Sequence, residues 1–227
     1  MEKINDLFLE SWFYRIEKSS SYDISISPWS DVVIFDDCPE ASDMRITLWE
    51  SSNLKYFWFS KNAKKTLKIK QDHANSNCSL AILNLVKGCR ADNKSSSIIS
   101  GNGSSSRISI LSIIWENGDI RNDSSITVTS WTQKWIASLT QENILIWDSA
   151  KVSWVPALYV HTDDASATHS LKIEKIKWED LFYLTSRWID NSSASAIMLS
   201  SKIFSLFSEF AGNKDFLFEE LDNFLKK

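Results

Sequence analysis

Six lysines and a run of aromatic residues stand together in LKYFWFSKNAKKTLKIKQ, residues 54–71, with no acidic residue among them. The lysines are Lys55, Lys61, Lys64, Lys65, Lys68 and Lys70, and Trp58 lies in the aromatic run 56–59. Ammonium groups neutralise phosphates, and aromatic rings stack on bases. The segment is therefore the best candidate in the chain for a nucleic-acid contact, through these lysines and Trp58. The alternative is a hairpin whose aromatic residues lie in the core and whose lysines face water.

A second group of polar side chains occurs in HTDDASATH, where His161, Asp163, Asp164 and His169 are all competent metal ligands. A zinc site needs three or four such ligands that converge on one point. Nothing in this spacing imposes that convergence within an apparent loop. We therefore expect a solvated turn and no metal site.

No catalytic motif is recognisable in the chain. The three cysteines, Cys38, Cys78 and Cys89, lack metal-type spacing, and a lone cysteine in a strand is usually a small apolar core residue. SGNGSSS has glycines but no following lysine, so it is not a phosphate-binding loop. The sequence thus favours a protein that is not an enzyme and has no cofactor. A small intracellular enzyme, or a defence-type protein with an unrecognised site, remains the alternative.

Composition sets broad limits on location and partners. The chain has 227 residues and a net charge of −4, so overall charge predicts neither a nucleic-acid nor a membrane partner. An odd number of cysteines favours free thiols in a reducing compartment. The N-terminus is not a signal peptide, and no apolar run approaches the ~20 residues of a membrane helix. We expect an intracellular protein without membrane contact.

Hydrophobic periodicity divides the chain into three regions. Ile4, Leu7, Phe8, Trp12 and Ile16 are at helical spacing, which predicts a helix within residues 1–20. Residues 21–178 alternate with a period of two and predict about eight to ten short strands. Within them, the Ser-, Asn- and Gly-rich segment 91–107 predicts a flexible loop.

The pattern becomes helical again over residues 179–227, with three candidate helices and Asn213 as a cap for the last. Phe204, Phe207 and Phe210 contribute to an aromatic stripe on this segment. This stripe is a candidate partner-binding surface. The alternative is that it packs on the sheets of the same chain.

Two segments of the β region resemble each other. Residues 24–35 align without a gap on residues 126–137, so that Trp29 meets Trp131; with four residues inserted, Trp49 then meets Trp147. Repeated units of this kind bury their faces against their neighbours. The end of ILIWDS resembles the Trp-Asp signature of WD40 propeller blades. The sequence therefore predicts a mainly β fold: a partial, incomplete WD40-like propeller of short antiparallel sheets with N- and C-terminal helices.

A narrower resemblance covers about 75 residues. Trp115, Leu139 with Thr140, residues 144–147 and Trp178 resemble the propeller of the delta-type (90-kilodalton class) subunit of transcription factor IIIC. The Ser-Pro that usually follows the first tryptophan is replaced by ENG, and the chain is too short for seven blades. The resemblance implies a non-enzymatic scaffold subunit of a larger complex in RNA polymerase III transcription, located in the nucleus. Its partners would be other protein subunits.

Overall fold

The computed structural model describes residues 4–17, 21–176, 178–212 and 214–225. Its strands follow one another along the chain, and most are joined by turns of two to six residues. They are β1 (Ile4–Leu9), β2 (Trp12–Ile16), β3 (Tyr22–Ile26), β4 (Asp31–Asp36), β5 (Ser42–Leu48), β6 (Asn53–Lys61), β7 (Lys64–Gln71), β8 (Asn77–Lys87), β9 (Arg90–Ile99), β10 (Ser105–Trp115), β11 (Asp119–Val128), β12 (Trp135–Leu145), β13 (Lys151–Val160) and β14 (Ala165–Lys175).

These strands form stacked coils rather than propeller blades. The odd-numbered strands form one seven-stranded sheet, sheet A, and the even-numbered strands form another, sheet B. Every described pairing within them is parallel. The fold is therefore a parallel β-solenoid in which each coil adds one strand to each sheet. The predicted propeller of antiparallel sheets is wrong, because period-two alternation marks a strand but does not fix the direction of its neighbour.

Residues stack in rows because the registers are unbroken over most pairs. Ile34 lies beside Tyr56, which is followed on successive strands by Leu80, Ile108 and Leu139. All five side chains are at most 1% exposed. Rows of this kind from both sheets form the hydrophobic core between them.

The Ser-rich segment is part of this framework, so the predicted flexible loop at 91–107 is wrong. Most of it lies in β9 and β10, with only residues 100–104 between the strands. The Ser106 hydroxyl donates to Ser97 Oγ at 2.8 Å, and the Ser97 hydroxyl donates to Gln71 Oε1 at 3.1 Å, all between buried side chains. Stacking of the coils thus provides hydrogen-bond partners for buried serine hydroxyls, which composition alone would place in solvent.

The N-terminal helix predicted within residues 1–20 is also wrong. The described residues there form β1, which pairs with β3, and β2, which pairs with β4. Pairing with the next coil overrides the helical spacing of the apolar residues. The remainder of that segment lies outside the described residues.

Three helices follow β14, in the region where the sequence pattern becomes helical: α1 (Trp178–Thr185), α2 (Asn191–Leu206) and α3 (Asp215–Leu225). Leu199 and Ile203 of α2 and Leu217 and Leu221 of α3 pack on the outer face of sheet B and form a second core. Asp190 caps α2 by accepting the backbone N–H groups of residues 192 and 193. The predicted cap of α3, Asn213, lies outside the described residues. None of the helices in the described part of the chain is long and apolar enough to cross a bilayer.

Candidate partner-binding site at the open end of the solenoid

The solenoid ends at β13 and β14, which are paired on one side only. β13 is the outermost strand of sheet A next to β11, and β14 is the outermost strand of sheet B next to β12. The two strands contain 10 and 11 residues. Such long edge strands leave a row of backbone N–H and C=O groups without a partner strand, which is the usual template for pairing with another chain.

The hydrophobic core continues into this last coil but is no longer covered. Val160 follows the buried Val128 in register, and Ile173 follows the buried Asn143. Val160 is 40% exposed and Ile173 is 41% exposed, whereas Val128 and Asn143 are fully buried. Trp154 and Leu158 lie on the same inward-facing side of β13 as Val160. The interior of the solenoid is therefore presented as an apolar surface at this end, and surfaces of this kind mark protein interaction sites.

Two amide side chains lie one coil inside this surface. Gln141 and Asn143 of β12 are both 0% exposed, and neither amide finds a hydrogen-bond partner among the described residues. On β14 they are followed in register by Leu171 and Ile173. A buried polar group without a partner costs about 1–3 kcal/mol. Both amides therefore lie directly beneath the last coil, next to the open end.

The two edges differ in their capacity to pair. Pro156 lies in the middle of β13 and removes one backbone N–H donor, whereas β14 contains no proline. β14 is thus the continuous edge of the open end. We call the inward-facing surface of Trp154, Leu158, Val160, His169 and Ile173, together with the β14 edge, the open-end site.

The HTDDASATH residues border this site. His161, Asp163 and Asp164 lie in the turn between β13 and β14, and Asp164 Oδ2 accepts the backbone N–H of Lys134 at 3.3 Å. His169 lies on β14 and follows the inward-facing Leu139 in register. Across the described ranges, no group of three or more His, Cys, Asp or Glu is close enough to hold a metal ion.

The lysine-rich segment does not form one surface. Trp58 and Lys65 are 1% and 2% exposed and face the interior, because β6 and β7 each turn alternate residues inward. Lys55 pairs with Glu209 and Lys61 pairs with Glu220 beside the helices. Lys64, Lys68 and Lys70 lie on the outer face of sheet A, on the opposite side of the solenoid. The predicted seven-residue nucleic-acid contact is therefore split into three places.

The three phenylalanines predicted to bind a partner are also separated. Phe207 and Phe210 are 0% and 5% exposed and pack against Phe57 of β6. Only Phe204 is exposed, at 58%, with the ammonium group of Lys214 4.9 Å from its ring centre. The stripe thus serves mainly the core between the helices and sheet B, which is the alternative that the sequence left open.

The three cysteines are free thiols at separate places. Cys38 and Cys78 are buried, and Cys89 is half-buried. Burial raises the pKa of Cys78 to about 12 and also raises the pKa of Cys89. A raised pKa keeps a thiol protonated at neutral pH, where a thiolate is needed for nucleophilic attack or metal binding.

Sequence reasoning missed the open-end site. It placed strands at WVPALYV and LKIEKIKW, and those segments lie in β13 and the end of β14, but a strand pattern does not reveal which strand is outermost. The available signal was the pattern of apolar residues in β13. Both faces of this strand carry apolar residues, so apolar and polar residues alternate less regularly in β13 than in β11.

A family model described as "SUF system FeS cluster assembly, SufBD core domain" matches residues 37–202. No curated protein matches the chain. The family match corrects the resemblance to a WD40-like propeller and to transcription factor IIIC, and with it the expected scaffold role in nuclear transcription. The expected contact with other protein subunits is supported by the family match. Nothing found supports nucleic acid as a partner.

Proposed function

Since the chain belongs to the SufBD core domain family, we propose that it is a non-enzymatic protein component of iron–sulfur cluster assembly that joins another component of the SUF system through its open-end site. The observation that carries this proposal is the family match, which spans most of the solenoid and the start of the helical segment. The uncovered core at β13 and β14 supplies the physical reason for a partner.

The distribution of ligands supports action within a complex. All three cysteines and all three histidines lie in described residues, and they do not converge with acidic residues into a group that could hold a metal ion. Iron–sulfur clusters are bound by cysteine thiolates, with histidine as a substitute. This chain would therefore contribute at most isolated ligands, and a cluster under assembly would take its other ligands from the partner.

Among the cysteines and histidines, His169 is best placed to contribute a ligand. It lies on the inward-facing side of β14 in the open-end site, where the last coil leaves it exposed. A partner strand on the β14 edge would cover it. The same contact would remove Trp154, Val160 and Ile173 from water, which provides hydrophobic stabilisation in proportion to the area buried.

The proposal is tested by co-expressing the chain with the other SUF proteins of its source and measuring the masses of the complexes by size-exclusion chromatography with light scattering. We expect a stable complex. Substituting Val160→Lys and Ile173→Lys places two charges in the contact, and we expect the dissociation constant to rise by about 30-fold or more, the equivalent of a 2 kcal/mol hot spot.

Phe8→Lys is the matched control, because Phe8 is 64% exposed on β1, the outermost strand at the opposite end of sheet A. Reconstitution of the purified complex with ferrous iron and sulfide, followed by absorbance and iron analysis, reports cluster formation. A complex that forms equally well with both open-end substitutions contradicts the location of the contact. Absence of any complex, together with absence of cluster in every combination, contradicts the function.

A further inference from the structure

The turns that lead from sheet A to sheet B stack into one continuous corner of the solenoid. Backbone hydrogen bonds join each turn to the next: Trp29 N–H donates to Glu50 O at 3.0 Å, Ser51 N–H to Ala74 O at 2.9 Å, and Asn75 N–H to Asn102 O at 2.8 Å. Gly103 N–H donates to Gln133 O at 2.9 Å and extends the column to the β11–β12 turn. The corner is thus a regularly spaced edge held by a column of backbone hydrogen bonds.

Aromatic side chains project from this corner. Trp29 is 73% exposed, Trp131 is 90% exposed and Trp49 is 36% exposed. The Trp49 ring stacks on the imidazole of His73 in the next turn, with ring centres 4.4 Å apart and planes inclined by 13°. We call Trp29, Trp49, His73 and Trp131 the aromatic corner.

Two of these tryptophans occupy backbone conformations that favour other residues. Trp29 has φ 55° and Trp131 has φ 72°, in the left-handed region that glycine and asparagine adopt most easily. Along the hydrogen-bonded column the residues that correspond to Trp29 are Ser51, Asn75, Gly103 and Lys134, so Trp131 is an additional left-handed residue of the β11–β12 turn. A bulky side chain that is exposed to water on a disfavoured backbone conformation contributes little to the stability of the fold. Such positions concentrate at ligand-binding sites.

The spacing of the corner matches one kind of ligand. Trp29 and Trp131 lie four coils apart, which is about 19 Å at about 4.8 Å per strand. The stacked Trp49–His73 pair lies between them. A polyproline II helix rises about 3.1 Å per residue with three residues per turn, so two of its turns also span about 19 Å. Prolines at every third position would therefore meet rings at both ends and at the middle of the corner.

The charges that face the corner complete the match. Glu50 and Asp72 are exposed beside the central rings. At the far end, Asp163 and Asp164 outnumber Lys134. This acidic surrounding repels phosphates and favours a ligand with cationic residues.

We propose that the aromatic corner binds an extended, proline-rich protein segment that carries arginine or lysine, in the polyproline II conformation. Aromatic side chains are the usual receptors of such segments. None of its four rings belongs to the open-end site, and the proposal stands whether or not the open end binds a SUF protein.

The test uses the full chain and a fluorescein-labelled ten-residue peptide with proline at every third position and two arginines. Fluorescence anisotropy gives the affinity. A peptide with the prolines replaced by alanine and the arginines kept is the ligand control. We expect saturable binding of the first peptide and at least tenfold weaker binding of the second.

The variants Trp29→Gly and Trp131→Gly remove the rings and fit the left-handed backbone, and each should weaken binding about tenfold. Trp188→Gly is the matched control, because Trp188 is 99% exposed with φ 66° but lies in the α1–α2 connection. It should bind like the unmodified chain. Trp29→Asn and Trp131→Asn repeat the test if thermal melts show that a glycine variant does not fold.

Three results overturn the proposal. One is no peptide binding, and another is binding that the corner variants leave unchanged. The third is a preference for a labelled fifteen-residue oligothymidine or for cellohexaose over the proline-rich peptide, which would assign the corner to single-stranded nucleic acid or to carbohydrate.

Discussion

The Lys65 ammonium group lies 2.8 Å from the Asp36 carboxylate in the interior of the solenoid, with both side chains at most 2% exposed. The same carboxylate accepts the Tyr56 hydroxyl at 2.9 Å and the backbone N–H of Cys38 at 3.1 Å. Burial, followed by the charge of Asp36, raises the pKa of the Tyr56 hydroxyl well above its usual range, so Tyr56 stays a donor. One carboxylate thus holds an ion pair that joins the two sheets and accepts two further hydrogen bonds.

Removing the cation from this pair should be costly. Lys65→Met leaves a buried carboxylate without its counter-ion, and we expect a loss of about 3–5 kcal/mol in the free energy of unfolding. Adding Asp36→Asn removes the charge but keeps an acceptor for Tyr56, so the double variant should recover most of that loss. Urea unfolding followed by circular dichroism measures both. Lys68→Met on the outer face of sheet A is the control and should change stability by less than about 0.5 kcal/mol. Equal losses in the single and double variants would show that packing, not charge, governs the site.

The amides of Gln141 and Asn143 predict opposite effects on the isolated chain and on its complex. Because neither amide has a partner among the described residues, Gln141→Leu and Asn143→Leu should each stabilise the isolated chain by about 1 kcal/mol or more. They should weaken assembly if a partner supplies the missing hydrogen bonds. Thermal melts and the light-scattering experiment give the two readouts. A loss of stability in the isolated chain would mean that these amides are satisfied without a partner.

Gly101 should tolerate no side chain. A Cβ at this position would lie 1.9 Å from the carbonyl oxygen of His73, so Gly101→Ala must displace the neighbouring turn. We expect a loss of at least about 2 kcal/mol in the free energy of unfolding. Gly88→Asn is the comparison, because a Cβ there meets nothing within 4 Å and asparagine accepts its φ of 65°. If both variants lose the same stability, the contact between neighbouring turns is looser than this geometry requires.

Cys78 should be unreactive in the folded chain. With its pKa raised to about 12 by burial, only about one molecule in ten thousand carries a thiolate at pH 8. Iodoacetamide labelling followed by mass spectrometry should therefore modify the half-buried Cys89 first. Rapid labelling of Cys78 under native conditions would contradict its burial.

The same shift in the Cys78 pKa has a defined consequence for stability. The folded state holds the proton more tightly than the unfolded state, so the contribution of Cys78 is complete below the ordinary cysteine pKa of about 8.5. It is lost as the pH rises from there toward about 12. Cys78→Ala should therefore flatten the decline in unfolding free energy over this alkaline range. An unchanged slope would assign the decline to other groups.

The repeat seen in the sequence corresponds partly to structure. Ile24 lies in β3 and Ile126 lies in β11, both in sheet A, and Trp29 and Trp131 both follow their strands in corner turns with positive φ. Trp49 and Trp147 are not equivalent, because Trp49 follows β5 of sheet A and Trp147 follows β12 of sheet B. The similarity therefore arises from recurring coils of a solenoid and not from duplicated blades.

The coil period could not be read from the sequence because it is not constant. β3 and β5 begin 20 residues apart, at Tyr22 and Ser42, whereas β11 and β13 begin 32 residues apart, at Asp119 and Lys151. A search for a fixed repeat length finds only accidental matches in such a chain.

Local alternation was sufficient to place many strands, and helical spacing was sufficient for the three helices. Strand direction, coil number and the exposed end depend on long-range pairing that no local pattern specifies.

The lengthening strands give the solenoid a taper, from 5 and 6 residues in β3 and β4 to 10 and 11 in β13 and β14. Its two ends therefore have cross-sections of different size. Head-to-tail stacking would generate an open filament. It would place a wide face on a narrow one and leave much of the wide face exposed to solvent. Two wide faces match each other in dimension, so growth of an assembly that uses them stops after a single junction.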